Sequence, residues 1–498
     1  MSTAYRIFPS IGVARLGADG DFFVGPEMPG GGPTEATSDE SIVPVTRFKD
    51  NTRTKIRKQG ARFHLFESND GRTWQPANVP PENITWAVTL VNKKSAVDRP
   101  AEPPIAPMRP NVSPANANQV IAGGTNSIAG RDASSPTFRG TYKTKASDGS
   151  PFQVDVELGQ LRTDSKGRLI VLGGKGFSSA PAGSPLGVPP NTYYRNPNWH
   201  DDVADGPVTA EVKLNSTDPP IKAENGAWVI VAPPDYAPEI NGVVTLYDVL
   251  LQLGIDSFGF PKPGRPSFDL DVAPILSRVR RLRWVHQNAS WSDVRLESPN
   301  LRSRAEGDKA LREQVMNLVL SVEKILQGHT DPSGPPYRFR KFQRDFLDSW
   351  AQGDFDDTPS PPASAISAEG LTRAALEGAV GQGFCPGIEA GIILLDKTLY
   401  STPFDFRINH VNVAAGDLTA LMAQPWQADF LKCNIEWWPT QRPDIAPQLS
   451  GAKLNWVRGA GQHKLLVQRS GQLGFIVKQE ANEVFVEAER DPAMPSFP

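Results

Sequence analysis

The chain has 498 residues, of which 39% are hydrophobic and 21% charged, so it can bury a large core, and no apolar run in it is long enough to span a bilayer. Its net charge of −3 gives no reason to expect nucleic acid or an anionic membrane as a partner. Two cysteines cannot form a disulfide framework, and the N-terminus lacks a basic segment followed by an apolar one. The sequence therefore predicts a soluble, cytoplasmic protein, with export by an unusual route left open.

The sequence predicts that residues 1–238 form a β-rich part. The 43 Gly and 47 Pro limit long helices and favour short strands joined by shaped loops. Short strands broken by Pro and Gly open the chain at residues 5–17. Alternating or apolar runs predict further strands at the end of 55–66 and at 84–91, 152–158, 168–172, 209–214 and 228–232. Residues 28–40 and 98–118 are predicted to be irregular.

A glycine cluster follows the strand predicted at 168–172. Gly173, Gly174 and Gly176 surround Lys175, a composition that phosphate-binding loops share. Such a loop also needs a Gly-Lys-Ser/Thr ending and a following helix pattern, and the sequence has neither. A tight turn is the preferred interpretation.

An acidic turn with a histidine precedes the strand predicted at 209–214. His200 and Asp202 are residue types that bind metal ions, although no partner spacing typical of a metal site accompanies them. A loop held by hydrogen bonds from its aspartates is the simpler interpretation.

Helices are predicted in the second half of the chain. Apolar residues recur at helical spacing over 311–326, and Phe342, Phe346 and Trp350 predict a second helix. Residues 352–366, rich in Pro, Asp and Ser, are predicted to be a linker-like loop, and 368–380 a short helix. We therefore expect a β-rich α+β protein, with a mainly-β part (1–238) packed on a mixed α/β part (239–498) that carries the site.

The stretch most suggestive of chemistry runs from Pro425 to Asp444. It holds three of the chain's 11 Trp and one of its 2 Cys. If the segment is helical, Asp429 and Cys433 lie on one face at i and i+4, so that a carboxylate can reach the sulfur or its partner. The alternative is a tryptophan-rich core helix with an inert buried thiol.

Several segments together resemble the lysine ε-oxidase and glycine oxidase family, whose quinone-bearing members carry cysteine tryptophylquinone. The resemblance extends nearly from end to end, and the combination of segments is specific. The segments are 7–15, 57–63, 205–208, 384–389, 406–410, 425–433 and 437–444.

The resemblance implies a protein-derived cofactor, in which an oxygenated Trp is joined by a thioether to a Cys with the help of an Asp. Cys433 would be the thioether Cys and Asp429 the assisting acid. Cys385 would line the pocket, and His410 would be a polar partner. The implied reaction oxidises an amine or amino acid with O2 and water to an aldehyde or keto acid, ammonia and hydrogen peroxide.

The quinone tryptophan departs from the family pattern. In that pattern a Trp stands three residues before Leu-Gly-Phe, and this chain has Ser470 at the corresponding position. A serine has no ring to oxygenate. Trp456 is the best substitute in this region, and Trp426, seven residues before Cys433, is a weaker one.

Three hypotheses follow from these observations. The first is a quinoprotein amino-acid or amine oxidase. The second is a quinone-less homologue, such as an O2- or metal-dependent oxygenase in specialised metabolism, and the third is a non-catalytic relative that binds an amino acid. By analogy with the family, we expect a homodimer or homotetramer and a flavoprotein partner for maturation of the quinone.

Overall fold

The computed structural model describes the backbone of residues 3–37, 41–100, 107–187, 194–215, 217–325, 339–361, 365–381, 390–436, 440–479 and 483–495. Within these ranges, fourteen strands form one sheet and two further pairs form small ribbons. The strands are β1 (Ala4–Phe8), β2 (Ile11–Arg15), β3 (Phe22–Val24), β4 (Thr34–Glu35), β5 (Lys58–Ser68), β6 (Gln75–Pro76), β7 (Ile84–Asn92), β8 (Ile121–Ala129), β9 (Ser134–Lys145), β10 (Pro151–Thr163), β11 (Leu169–Gly173), β12 (Ala204–Val212), β13 (Ile221–Lys222), β14 (Ala227–Ala232), β15 (Ile445–Pro447), β16 (Lys453–Asn455), β17 (Phe475–Lys478) and β18 (Phe485–Ala488).

The large sheet is a nearly closed, barrel-like structure. Its main path runs β8-β7-β12-β14-β2-β5-β11-β10-β9, and the short strands β1, β3, β4, β6 and β13 lie beside it. Most neighbouring strands are antiparallel, whereas β14 pairs with β2 in parallel. The end strands β8 and β9 come together, where the Asn126 side chain donates a hydrogen bond to the Pro136 carbonyl at 2.8 Å. This closure protects the edges of the sheet.

The helices follow the large sheet in the chain. They are α1 (Leu246–Ser257), α2 (Ala273–Arg281), α3 (Lys309–Ile325), α4 (Lys341–Ala351), α5 (Ala368–Glu377), α6 (Trp426–Glu436) and α7 (His463–Arg469). None of the described helices is both long and apolar enough to cross a membrane. The β-rich first part and mixed second part confirm the predicted fold class.

One hydrophobic core runs through both parts of the chain. Trp86 and Val231 from the large sheet belong to the same buried cluster as Val272, Trp350 and Trp456 from the second part. The predicted boundary at residue 238 stays a prediction, although the last strand of the large sheet ends at Ala232. The predicted linker-like loop is held by the rest of the chain, since Asp269 accepts the Ser360 N–H at 2.8 Å.

Candidate active site

The helix predicted around Cys433 is present as α6. It begins at Trp426, directly after Pro425, and continues through Cys433 to Glu436. Asp429 is fully buried. Its position one turn before Cys433 places the two residues on one helix face. The side chain of Cys433 and the whole of Cys385, Trp437 and Trp438 lie outside the described residues.

Asp201 holds the first turn of α6 from the β-rich part. Its Oδ2 accepts the Trp426 N–H at 2.9 Å and pairs with Lys94 Nζ. Its Oδ1 accepts from Asn92 Nδ2 at 3.2 Å. Asp201 and Lys94 are almost completely buried, with 0% and 1% of their side chains exposed. Asp201 thus satisfies a helix N–H that has no acceptor within the helix.

The neighbouring Asp202 explains the glycine cluster. Its Oδ2 accepts the N–H groups of Gly176 at 2.7 Å and Phe177 at 3.3 Å. Burial and the charge of Asp201 raise the pKa of Asp202 to about 7. The backbone N–H groups that a phosphate would use therefore bind a carboxylate of the chain itself, in agreement with the predicted turn.

The metal interpretation of His200 and Asp202 gains no support. His200 Nε2 lies 2.7 Å from Ser179 Oγ, and burial lowers the pKa of His200 to about 4. Within the described ranges, no three His, Cys, Asp or Glu side chains are grouped as a metal ion requires. Loop hydrogen bonding, the simpler interpretation, accounts for the contacts of Asp202.

Asp205 organises the segment that leads into α6. Its carboxylate accepts the N–H and the hydroxyl of Thr419 at 2.8 and 2.6 Å, and the indole N–H of Trp228 at 3.0 Å. The N–H groups of Gly416 and Leu418 also point at it, at 3.2 and 3.3 Å. Burial raises the pKa of Asp205 to about 6. Asp205 thus fixes the segment 416–419 that leads into α6, and Asp201 fixes the first turn of the helix.

Tyr236 is the centre of an aromatic cluster beside α6. Its ring centroid lies 4.8 Å from that of Trp456, 5.1 Å from Phe475 and 5.9 Å from Phe430 of α6. Its hydroxyl donates to the Ser470 carbonyl at 2.8 Å. Complete burial raises the pKa of Tyr236 well above its ordinary value, so the hydroxyl stays protonated. The substitute Trp456 and the family position Ser470 therefore border the same tyrosine.

Arg442 joins α6 to Trp456. Its Nε donates to the Phe430 carbonyl, and its guanidinium carbon lies 5.9 Å from the centroid of the Trp456 ring. Its Nη1 donates to Asp444 Oδ1 at 2.7 Å, and His286 Nε2 lies 3.5 Å from Asp444 Oδ2. Burial lowers the pKa of His286 to about 4. The arrangement is an Arg–Asp–His chain beside the aromatic cluster.

The two candidate tryptophans differ in their relation to Cys433. Trp426 and Cys433 are seven residues apart on one helix, a separation of about 10.5 Å along the axis. The Trp426 ring lies against Phe430 of the same helix, with ring centroids 5.1 Å apart. Trp456 is fully buried and reaches α6 through Tyr236, whose ring contacts both Trp456 and Phe430. Both tryptophans therefore belong to the aromatic cluster around Phe430.

His410 lies away from this cluster. Its Nε2 is 3.1 Å from the carbonyl oxygen of Ala227, the first residue of β14, and its ring meets the edge of Trp228 at 5.4 Å. Tyr236 follows the other end of the same strand, which is about 17 Å long. The structure therefore does not bring His410 together with Asp429.

Sequence reasoning did not single out Tyr236, His286, Arg442 or Asp444 for a role. Tyr236 stands in a proline-rich break that only marked the end of a strand, and Arg442 and Asp444 closed the tryptophan-rich window without an assigned role. His286, one of only 6 histidines, carried no spacing signal. A buried tyrosine between prolines is a signal that could have been used.

Comparisons with known proteins agree with this architecture. A family model described as L-lysine epsilon oxidase N-terminal matches residues 8–231, and one described as L-lysine epsilon oxidase C-terminal domain matches residues 336–456. The L-lysine 6-oxidase of Marinomonas mediterranea is 28% identical, in an alignment that covers 87% of this chain and 71% of that protein.

Solved structures share the fold. A structure of the epsilon-lysine oxidase from Marinomonas mediterranea aligns with a TM-score of 0.77 at 24% identity, covering 98% of this chain and 95% of that one. A second, the Schiff base intermediate of L-Lys epsilon-oxidase from the same organism with L-Lys, aligns with a TM-score of 0.76 at 23% identity and the same coverage.

Proposed function

Because this chain belongs to the L-lysine epsilon oxidase family, we propose that it is a quinoprotein oxidase that acts on the amino group of an amino acid or related amine. The reaction converts the amine, O2 and water to an aldehyde or keto acid, ammonia and hydrogen peroxide. The relative from Marinomonas mediterranea is an L-lysine 6-oxidase, which makes L-lysine the first substrate to test.

The observation that carries the proposal is the placement of Asp429. It is a fully buried carboxylate on α6, one turn before Cys433, within a segment that carries the resemblance to the family. A carboxylate without access to bulk water can hold or accept a proton next to a reacting group. Burying a carboxylate costs free energy, which a partner or a function must offset.

The residues present fit a cofactor of the cysteine tryptophylquinone type. Cys433 would supply the sulfur, Trp456 the ring and Asp429 the carboxylate that assists. When formed, such a group supplies an electrophilic carbonyl and takes up two electrons. Trp456 is preferred to Trp426 because it comes from another segment that packs on α6 through Tyr236, whereas Trp426 lies about 10.5 Å from Cys433 along the axis of the same helix.

The surrounding side chains would orient the ring and exclude water. Tyr236 and Phe475 are buried against each other, and Tyr236 meets the Trp456 ring. The Trp456 indole N–H donates to the Gly474 carbonyl at 2.8 Å, which fixes the plane of the ring. Arg442 places a positive charge beside this ring, where charge that develops during oxidation is stabilised.

The second and third hypotheses are not favoured. An oxygenase would use His200, Asp202, His410 or Cys385. The described contacts of His200 and Asp202 serve the loop before β12, His410 lies against the Ala227 carbonyl, and Cys385 lies outside the described residues. By analogy with the family we propose that the protein is a homodimer or homotetramer and that a flavoprotein matures its quinone, which light scattering and co-expression would test.

Peptide mapping by mass spectrometry tests the proposal. In protein purified from its native host, we expect the Cys433 peptide to be joined to the Trp456 peptide with two added oxygen atoms. The same protein should absorb visible light and release peroxide on addition of L-lysine, and a Cys433→Ser control should do neither. An unmodified Cys433 together with eleven intact tryptophans would overturn the quinoprotein assignment.

A further inference from the structure

We propose that Asp201, a residue of the β-rich part, is a positioning residue for the oxidase site. It fixes the first turn of α6 and so sets the direction in which Asp429 and Cys433 face. The link to catalysis rests on the function proposed above, whereas the link to α6 rests on the contacts alone.

The contacts of Asp201 converge from two directions. From the β-rich part, Lys94 Nζ and Asn92 Nδ2 bind the carboxylate, and the Val203 N–H approaches Oδ1 at 3.3 Å. From the second part, the Trp426 N–H donates to Oδ2 at 2.9 Å. The first group of contacts holds the carboxylate in place, so that it is a fixed acceptor for the helix.

The position of the carboxylate suits a helix N-terminus. The first N–H groups of a helix lack acceptors inside it, and that end of the helix carries a partial positive charge. A buried anion there satisfies one donor and interacts favourably with the helix dipole. The Lys94 ammonium balances the charge, which makes full burial of the group tolerable.

Asp202 provides a second, indirect link to the same turn. It binds the Gly176 and Phe177 N–H groups, and the Gly176 carbonyl accepts a hydrogen bond from Gln427 Nε2 at 3.2 Å. Ser178 Oγ donates to Gln427 Oε1 at 2.7 Å. The adjacent aspartates thus hold the first two residues of α6, one directly and one through the glycine loop.

Anchoring of the first turn sets the orientation of the rest of the helix. A shift by one residue would turn every side chain of α6 by about 100° around the axis, and Asp429 and Cys433 would be displaced with the rest of the helix. Reactions between fixed groups lose rate steeply with misplacement of about 1 Å. A distant contact at Trp426 can therefore control chemistry at Cys433.

Two double variants separate positioning from stability. Lys94→Met with Asp201→Leu replaces the buried pair by apolar side chains of similar volume and removes the acceptor for the Trp426 N–H. Lys94→Met with Asp201→Asn also removes both charges but keeps an amide oxygen as acceptor. Apolar replacement of a buried ion pair often leaves stability unchanged, so the Tm of the Leu variant should fall below that of the Asn variant only by the few degrees that the unsatisfied Trp426 and Val203 N–H groups cost. Asp248→Ala is the control, since Asp248 is a buried carboxylate that caps the N-terminus of another helix, α1.

Two readouts are taken on full-length protein. Hydrogen exchange of the 424–433 peptide reports the anchoring of α6 whether or not a cofactor forms. Peptide mapping reports the fraction of Cys433 that is cross-linked. For the Leu variant we expect exchange about fivefold faster, the effect of losing one N-terminal acceptor, and a clearly smaller cross-linked fraction. The Asn variant should match the wild type in both, and the Asp248→Ala control should lower the Tm without changing the exchange of this peptide.

Exchange in the Leu variant at the wild-type rate would overturn the proposal. So would faster exchange with an unchanged cross-linked fraction, because Asp201 would then hold α6 without affecting the site. A wild type without any cross-link would instead overturn the proposed cofactor. In that case the exchange comparison alone decides whether Asp201 anchors α6.

Discussion

Lys49 is predicted to destabilise the protein at neutral pH. The residue is fully buried, and its ammonium has one described partner, the Arg53 carbonyl at 3.2 Å. Burial lowers the pKa of Lys49 from 10.5 to about 7, although Glu489 opposes the change. Because the folded pKa lies below the unfolded one, the unfolded chain binds more protons near pH 7, and stability is lost as the pH falls from about 10.5 to 7.

The magnitude follows from the size of the pKa shift. Between a folded pKa of about 7 and an unfolded pKa of 10.5, the cost at pH 7 is about 4 kcal/mol. Lys49→Met removes this cost and loses one hydrogen bond worth about 1 kcal/mol. The Glu489 carboxylate keeps the Phe48 and Lys49 backbone N–H groups at 2.9 and 2.7 Å, since the substitution does not touch them. We therefore expect a net gain of about 3 kcal/mol at pH 7 and almost none at pH 10.

Thermal unfolding of wild type and Lys49→Met at matched pH measures the effect. For a chain of 498 residues, 1 kcal/mol corresponds to about 1 °C in Tm, so the variant should melt about 3 °C higher at pH 7 and at nearly the same temperature at pH 10. Lys222→Met, at a side chain that is 81% exposed, serves as the control and should show no such pH dependence. A Lys49→Met protein that is less stable than the wild type at pH 7 would refute the reasoning.

Three further predictions concern the supports of the site and its ring. Asp205→Ala leaves four N–H donors, that of Thr419 among them, without their acceptor and should cost about 3 kcal/mol or more, read as a Tm at least about 3 °C lower. Burial holds the folded pKa of His200 near 4, so the wild type should lose up to about 3 kcal/mol of stability as the pH falls from about 6.5 to 4. His200→Gln should remove this loss, and measurements of unfolding at stepwise pH check it. Trp456→Phe should abolish visible absorbance and peroxide release, whereas Trp426→Phe should keep both, and the reverse result would move the quinone to Trp426.

Local pattern was sufficient for much of the secondary structure. The helical spacing over 311–326 corresponds to α3, and the Phe342, Phe346 and Trp350 stripe to α4. These elements bury one face, and a buried face leaves a periodic signature in the sequence. The strands predicted at 84–91 and 228–232 correspond to β7 and β14 for the same reason.

Other elements carried weaker local signals. The strands β8 and β9 were not predicted, because they are rich in Gly, Ser, Thr and Asn, and their pairing at the barrel closure is what stabilises them. The helix α1 was also missed, although Thr245 and Asp248 form a capping box that could have marked its start.

The sequence by itself determined that Asp429 and Cys433 share a helix face, because that relation depends only on their spacing and on the period of the helix. Only the tertiary structure decided that Tyr236 lies between Trp456 and Phe430, and that Asp201 reaches the first turn of α6. The last contact joins residues 225 positions apart. No local pattern encodes such a contact, since it exists only when the closed sheet and the helix pack on a common core.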